Sequence, residues 1–273
     1  MEEIGCGRTS TVLRLRPGVV LKSPHSFRPG SGLAELTELA VTTEQAVLSR
    51  LQGHPRIVQY LGYYDEPGGP NGLLLAEASH GDLQTYLDTH PAPDRSLALK
   101  WCQQAVEAIA YVHSRGVVHS DLRTGNLLLH ETVPGSGVLD LVLADFGGAA
   151  CPELGVDGRG MPSTPFLHPV YATDDVASVG LDLFGLGSVC YVILTGHWPH
   201  STAPGGRPAR EAQARQEYEQ RVDELFRQDI YPDVSTLPGG DVVLRCWLRK
   251  YTTAEDVLHD IRTGDVHVLE DGS

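Results

Sequence analysis

The sequence predicts an α+β fold in which a small antiparallel β-sheet with one helix precedes a larger, mainly helical part. Residues 3–22 alternate apolar and polar side chains around a glycine-rich turn. This pattern indicates two strands joined by a tight loop, and a third strand that ends at Lys22. Apolar residues at helical spacing predict a helix over 34–52, and strand-like runs follow at 57–64 and 73–76.

The chain after these elements is mostly helical. A short helix is predicted to begin at Leu83, and the apolar side chains between Leu97 and Val112 lie on one face of a longer helix. The helices predicted later in the chain cover residues 180–195, 209–228, 240–248 and 253–262. Thr252 and Glu255 have the spacing of a capping box at the start of the last helix.

Residues 148–175 carry many glycine, proline and serine residues without an apolar period, and we expect a long surface loop there. The sequence shows no internal repeat. We therefore expect a single domain over residues 1–273, with a smaller lobe over about 1–78 and a larger lobe over about 79–273.

Composition and charge argue against several classes of function. The 273 residues carry a formal net charge of −14, which makes nucleic acids and anionic membranes poor partners. The five cysteines form no CxxC pair, so neither a zinc site nor a disulfide framework is predicted. The N-terminus does not resemble a signal peptide, and the longest apolar run, Leu181 to Leu194, is too short to span a membrane. We expect a monomer in the cytoplasm or the nucleus.

The glycine-rich turn is the first candidate site. Gly5 and Gly7 would let backbone N–H groups approach phosphate oxygens, although an ordinary hairpin turn would also explain them. Lys22 ends the third strand, and Glu44 lies within the helix that follows. Each alone would more often be solvated, but a strand lysine held by a helix glutamate can direct its ammonium group at two phosphates.

The strongest pattern is a loop in which Asp121 and Asn126 stand between two apolar runs, followed by Asp145. A hydroxyl nucleophile needs a carboxylate near its proton, and Mg²⁺ prefers oxygen ligands such as carboxylates and amides. Gly147, two residues after Asp145, allows an unusual backbone turn. The pattern therefore predicts proton and metal chemistry on neighbouring loops.

In this order and spacing, the motifs resemble the signature set of the protein kinase family. The run 119–126, HSDLRTGN, stands for HRDLxxxxN, and 145–147 stands for DFG. Residues 180–187 resemble the DxWxxG segment, and 246–247 resemble the late CW pair. The resemblance covers essentially the whole chain, whose ending is similar to that of small, divergent fungal kinase-like proteins.

The resemblance implies a bilobal protein-kinase-like fold with a nucleotide cleft between the lobes, and ATP and Mg²⁺ as cofactors. It implies that Asp121 orients or deprotonates the substrate hydroxyl, that Lys22 contacts the α- and β-phosphates, and that Arg123 supplies a cation. Asn126 and Asp145 would hold Mg²⁺. The nucleotide-binding residues implied in this way are Gly5, Gly7, Val12, Val20, Lys22, Glu44, Leu75, Glu77, Ala78 and Leu128.

Two further roles follow from the same resemblance. Leu75 fits the gatekeeper position, with residues 76–78 as the hinge. Asp182 is expected to accept backbone N–H groups under the catalytic loop rather than to take part in chemistry.

Several positions depart from the family pattern. Ser10 replaces the third glycine of the glycine-rich loop. Ser120 replaces the HRD arginine, which in the family normally binds a phosphate on the activation loop. Arg123 stands where Ser/Thr kinases usually carry lysine, which leaves Ser/Thr or Tyr specificity open.

The sequence has no Ala-Pro-Glu motif; the corresponding stretch is 170–175. The family pairs that glutamate with a late arginine. A substitute pair of Asp174 or Asp175 with Arg249 or Lys250 is one expectation.

The predicted function is transfer of the γ-phosphate of MgATP to a protein hydroxyl, most simply that of serine or threonine. A catalytically weak or inactive pseudokinase that binds ATP as a scaffold is the alternative, because Ser120 and the missing Ala-Pro-Glu motif weaken the case for activity. A small-molecule kinase of the aminoglycoside or choline type is a third hypothesis, against which Phe146 and Gly147 argue.

Overall fold

The computed structural model describes residues 1–90, 92–133, 135–173, 177–203, 206–208 and 211–264. The chain begins with a five-stranded antiparallel sheet whose strand order is β1-β2-β3-β5-β4. Its strands are β1 Glu2–Cys6, β2 Ser10–Arg16, β3 Val19–Pro24, β4 Tyr60–Asp65 and β5 Asn71–Ala76. The predicted sheet is confirmed, although β4 begins three residues later than the apolar run at Ile57 suggested.

One helix, α1 (Gly32–Arg50), lies between β3 and β4 in the chain. Ser31 caps it, because its side chain accepts the Ala34 N–H at 3.3 Å. Val47 and Leu48 are fully buried on the same face as Glu44, so the apolar stripe of this helix carries one carboxylate into the interior. That placement decides the geometry of the site described below.

The rest of the chain is mainly helical, as predicted. The further helices are α2 Leu83–Thr89, α3 Arg95–Ser114, α4 Val179–Thr195, α5 Ala212–Arg227, α6 Gly240–Trp247 and α7 Ala254–Gly264. Two small hairpins interrupt them, formed by β6 Leu127–Glu131 with β7 Leu139–Leu143 and by β8 Ala150–Cys151 with β9 Val156–Asp157.

The core of the helical part is built on α3 and α4. Trp101 and Ile109 of α3 are fully buried, and α4 is apolar on almost every face. A Cβ atom at Gly187 would lie 2.8 Å from the Cβ of Cys246, so this glycine lets α4 and α6 approach closely. Trp247 completes the contact by donating its indole N–H to the Ser188 hydroxyl at 3.0 Å.

The sheet is joined to the helical part by the segment after α1. The Val58 N–H donates to the Leu143 carbonyl at 2.9 Å, and the Leu143 N–H donates to the Arg56 carbonyl at 2.8 Å. Because Leu143 comes directly before the loop that contains Asp145, these bonds fix that loop relative to the sheet.

The expectation of a surface loop over 148–175 is wrong in part. Phe166, Leu167 and His168 are buried, and the β8–β9 hairpin pairs residues near its start. Phe166 packs edge-on against Trp198, and His168 packs edge-on against Phe184 of α4, but the sequence around them shows no period that would reveal their burial.

The cap of the last helix and the ion pair of Arg249 were also predicted from the sequence. The last helix is capped by Thr253 rather than Thr252, because the Thr253 hydroxyl accepts the Asp256 N–H at 3.1 Å. Asp174 and Asp175, the expected partners of Arg249 or Lys250, lie outside the described residues. Among the described residues, Arg249 forms an ion pair with Asp229 at 3.0 Å.

In the described part of the chain, no helix combines the length and the apolar character that crossing a bilayer requires.

Candidate active site

The centre of the candidate site is Lys22, which β3 holds between β2 and β5. Its Nζ lies 2.6 Å from Glu44 Oε2 and 2.7 Å from Asp145 Oδ1. Strand pairing of Lys22 with Val12 on one side and Leu73 on the other fixes the direction of its side chain. Helix α1 brings Glu44 to the same point, so the lysine is held from two directions.

The three charges shift one another's pKa values. Burial alone would lower the pKa of Lys22, but the Asp145 and Glu44 carboxylates outweigh burial and raise it. The Lys22 ammonium, working against burial, lowers the pKa of Asp145 to about 2. Burial raises the pKa of Glu44, with Lys22 opposing it. At neutral pH the site therefore presents a charged lysine and an ionised Asp145.

The segment after Asp145 is held by contacts with Glu44 and His119. Phe146 is fully buried, and its N–H donates to Glu44 Oε1 at 3.2 Å. Asp145 has a φ of 62°, in the left-handed region that few residues other than glycine adopt. The His119 ring packs edge-on against the Phe146 ring, with centroids 4.9 Å apart. Glu44 thus holds both the lysine and the backbone after Asp145.

Glycines let a second strand of chain pass directly beside this segment. The Gly158 N–H donates to the Ala149 carbonyl at 2.8 Å, and the Gly160 N–H donates to the Gly148 carbonyl at 2.9 Å. A Cβ at Gly158 would lie 2.1 Å from the Gly147 carbonyl oxygen, a distance that no side chain allows. The backbone contact therefore needs glycine at this position.

The loop that carries Asp121 is closed by Asn126. The Asn126 Nδ2 donates to the Asp121 carbonyl at 2.7 Å and to its Oδ2 at 3.1 Å. Arg123 Nε lies 3.5 Å from the same Oδ2. Burial raises the pKa of Asp121, and the charge of Arg123 partly opposes it. A carboxylate with a raised pKa is better suited to accept a proton.

Asp182 supports this loop from below, as the sequence predicted. Its carboxylate accepts the N–H groups of His119 at 2.8 Å and Ser120 at 3.0 Å, and it contacts His113 Nε2 at 2.9 Å. Burial would raise the pKa of Asp182, but these partners lower it overall. Ser120 has a φ of 64° and is fully buried, so the two N–H bonds hold a left-handed backbone directly before Asp121.

The residues expected around the adenine lie on the sheet and the β6–β7 hairpin. Val20 and Leu75 face each other across β3 and β5 and are buried, while Val12 and Leu128 are half-buried against the same core. Gly5 lies in β1, and the Gly7 N–H donates to the Ser10 carbonyl at 2.8 Å within the turn.

The hinge residues are not equivalent. The Glu77 carboxylate pairs with Arg14 at 2.6 Å and accepts the Gly18 N–H at 3.2 Å, and its own N–H donates to the Gly18 carbonyl at 3.0 Å. Among the described residues, the Ala78 N–H has no acceptor. Of these two residues, Ala78 is therefore the one with a backbone donor that no described residue occupies.

Comparison with protein families identifies the chain. A family model described as the protein kinase domain matches residues 2–238. The chain belongs to the protein kinase family. Both the predicted family and the predicted fold, a sheet with one helix followed by a mainly helical part, are confirmed.

Several curated kinases are similar to this chain. It is 31% identical to serine/threonine-protein kinase RAD53 of Saccharomyces cerevisiae over 59% of this chain and 21% of that protein. It is 31% identical to serine/threonine-protein kinase US3 of human herpesvirus 2 over 58% of this chain and 30% of that protein. It is 26% identical to serine/threonine-protein kinase ATG1c of Arabidopsis thaliana over 72% of this chain and 26% of that protein. The chain thus spans less than a third of the length of each.

Membership of the kinase family implies use of ATP, generally with Mg²⁺, and the residues present fit both. The Asn126 Oδ1 and the second carboxylate oxygen of Asp145 accept no hydrogen bond from any described residue. These are hard oxygen donors of the kind that Mg²⁺ prefers. The Asp145 side chain is 44% exposed.

Sequence reasoning missed two features of this kinase site. The first is His119, whose Nε2 lies 3.0 Å from the Ala144 carbonyl and which thereby ties the Asp121 loop to the Asp145 loop. Its place in the HSD motif was the available signal. The second is Gln84, whose Oε1 accepts hydrogen bonds from the Thr124 hydroxyl at 2.6 Å and the Trp198 indole at 2.8 Å. No sequence pattern marked Gln84.

Proposed function

We propose that this chain is an ATP-dependent protein kinase that transfers the γ-phosphate of MgATP to a serine or threonine hydroxyl. The proposal rests on the position of Lys22. Its Nζ lies 2.6 Å from Glu44 Oε2 and 2.7 Å from Asp145 Oδ1, beside the loop that carries Asp121. Phosphoryl transfer depends mostly on positioning and charge neutralisation, and the groups that provide both are present.

Each residue has a distinct task in this proposal. Lys22 binds phosphate oxygens, and Glu44 keeps its ammonium group in place. Asn126 and Asp145 hold the metal, which supplies charge neutralisation at the phosphates when bound. Asp121 accepts the proton of the substrate hydroxyl, and Arg123, 3.5 Å from it, offers a cation to the transferred group.

The structural role of Ser120 weighs against the pseudokinase alternative. Its N–H keeps the bond to Asp182 that shapes the loop, so replacing the family's arginine removes a cation but not the loop geometry. That cation serves regulation by loop phosphorylation rather than transfer itself. The curated relatives are named as serine/threonine kinases, which supports an active enzyme with that specificity.

A transfer assay tests the proposal. The purified chain is incubated with MgATP and a peptide library that offers serine, threonine and tyrosine, beside an Asp121→Asn variant of nearly identical shape. We expect transfer to fall at least about a hundredfold in Asp121→Asn, because the proton acceptor is lost. Phosphoamino-acid analysis of the product then separates serine and threonine from tyrosine.

The matched control is Asp65→Asn, which changes an exposed aspartate of β4. ATP binding by the wild-type chain without autophosphorylation or Asp121-dependent transfer would leave the pseudokinase alternative in place. The lobe boundary near residue 78, the monomeric state and the cytoplasmic or nuclear location stay predictions.

A further inference from the structure

A cleft of about 290 Å³ lies beside the catalytic loop, three residues of which line it. We call it the arginine pocket, because the guanidinium groups of Arg123, Arg207 and Arg215 line it. The other lining residues are Asp82, Gln84, Thr85, Thr124, Gly125, Ser163, Phe166 and Trp198. Arg123 belongs to the catalytic loop itself, so a group in this pocket would be a near neighbour of Asp121.

Two of the arginines are held in place before any ligand arrives. Arg207 lies over the Trp198 ring, with its Cζ 5.3 Å from the centroid, and its Nη1 pairs with Asp88 at 2.8 Å. Arg215 pairs through Nε with Glu219 at 3.0 Å and donates through Nη2 to the Ser163 hydroxyl at 3.4 Å. Each guanidinium carries five N–H donors, so these contacts leave donors available.

The carboxylates around the pocket are occupied by other groups. Asp82, the acidic residue that lines it, caps α2 by accepting the Thr85 N–H at 2.9 Å and the Thr85 hydroxyl at 2.8 Å. Asp88 is shared between Arg207 and the Gln84 amide, which donates at 2.8 Å. Three cations against one lining carboxylate give the pocket an excess of positive charge within a chain whose net charge is −14.

Buried hydrogen bonds connect the residues at the floor of the pocket. Gln84 is buried, and its Oε1 accepts hydrogen bonds from both Thr124 and Trp198, so one side chain joins the catalytic loop to the residue on which Arg207 lies. Arginine forks arranged on a fixed platform are the geometry that binds carboxylate and phosphate groups with two hydrogen bonds each.

We propose that the arginine pocket binds an anionic side chain of the protein substrate, either a carboxylate or a phosphorylated residue. This side chain would lie at a fixed distance from the substrate hydroxyl whose proton Asp121 accepts. The proposal deepens the proposed function and rests on it. It also reverses what net charge alone predicts, because an acidic surface would favour basic substrates, whereas local charge within contact distance decides which side chain is accepted.

The test uses serine peptides in which each position around the acceptor is fixed in turn as glutamate, phosphoserine or alanine. For the wild-type chain we expect a preference for the anionic peptides at one position. In an Arg207→Ala, Arg215→Ala double variant, kcat/KM for those peptides should fall about tenfold or more, while kcat/KM for the alanine peptides stays unchanged. An Arg207→Lys, Arg215→Lys variant, which keeps the charge, should retain part of the preference.

Arg227→Ala is the matched control, because Arg227 is an exposed arginine of α5 whose ion pair among the described residues is with the neighbouring Glu224. Thermal unfolding of all variants checks that they fold. A response to phosphoserine alone supports the pocket as a phosphate site, and an equal response to glutamate supports it as a general anion site. No anionic preference, a preference for basic peptides, or a preference that survives the double alanine variant would overturn the proposal.

Equilibrium binding of the same peptides, labelled and followed by fluorescence anisotropy, separates this proposal from the proposed function. If the wild-type chain transfers no phosphate but binds anionic peptides about tenfold better than the double variant does, the pocket stands and the catalytic proposal fails. If transfer occurs without any anionic preference in either assay, the catalytic proposal stands and the pocket proposal fails.

Discussion

Lys22 stands between two carboxylates that come from distant parts of the chain. Glu44 contacts Lys22 from α1, and Asp145 contacts it from a loop 123 residues after Lys22 in the chain. Glu44 also accepts the Phe146 N–H at 3.2 Å. Because one carboxylate holds both the ammonium group and the backbone after the metal ligand, we expect Glu44 to matter more for activity than a single ion pair would suggest.

Replacement of Glu44 by glutamine tests this role. Glutamine keeps an acceptor for the Phe146 N–H but removes the charge that holds Lys22, so we expect the transfer rate to fall about tenfold to a hundredfold. Steady-state transfer assays at saturating ATP measure it. The matched control is Glu38→Gln, an exposed position on the same helix that should leave the rate unchanged. A wild-type rate in Glu44→Gln would show that Asp145 alone positions the lysine.

At the scale of the secondary-structure elements, the conformation of the loop before Asp121 depends on hydrogen bonds from α4. The first turn of this helix carries Asp182, which is fully buried and accepts two N–H groups of the loop. The loop needs both bonds because Ser120 has a φ of 64°. The helix therefore acts as the support of the catalytic loop, without contacting the reacting groups.

We expect Asp182→Asn to destabilise the chain by about 2–4 kcal/mol, because an amide can offer only one acceptor where two N–H donors and His113 converge. Urea unfolding measures the loss of free energy, and hydrogen exchange at the His119 and Ser120 amides locates it. Asp241→Asn on α6, whose side chain is 71% exposed, is the control. Unchanged protection of the two amides would refute the supporting role.

At the scale of the whole molecule, another buried carboxylate joins the β6–β7 hairpin to α3. Asp140 of β7 lies 2.7 Å from Lys100 Nζ and accepts a hydrogen bond from the Gln104 amide at 2.6 Å. It also accepts a hydrogen bond from the Thr132 hydroxyl. Burial would raise the pKa of Asp140, but these three partners outweigh burial and lower it.

This lowered pKa predicts how stability depends on pH. A carboxylate whose pKa is lower in the folded state stabilises the fold above its unfolded pKa of about 4, and the contribution is lost as the pH falls below that value. We therefore expect Asp140→Asn to cost about 1–3 kcal/mol at neutral pH and progressively less in acid.

Urea unfolding of wild type and Asp140→Asn over a series of pH values measures the difference. Asp65→Asn, at an exposed position of β4, serves as the control and should show a small difference at every pH. A difference for Asp140→Asn that stays constant as the pH falls would contradict the assignment.

Much of the fold around Lys22 follows from local sequence. The strand that carries Lys22 and the helix that carries Glu44 could each be predicted from their residue patterns, and the resemblance to protein kinases implied that the two side chains meet. The bond from Lys22 to Asp145 could not, because it depends on how the two parts pack. The backbone contact at Gly158 and the burial of Phe166 lie in a segment without any period. The pocket arginines at 207 and 215 belong to no motif, so only their convergence in space marks them.

The position of Trp198 has a practical consequence. Of the three tryptophans in the chain, Trp101 and Trp247 are fully buried in the core, whereas Trp198 lies in the pocket wall under Arg207. Indole emission responds to nearby charge and polarity. An anion bound by Arg207 would change the charge beside the Trp198 indole, and we expect it to change the emission of Trp198 more than that of the other two tryptophans. The chain thus contains an intrinsic optical probe of this pocket, and its occupancy can be followed without any label.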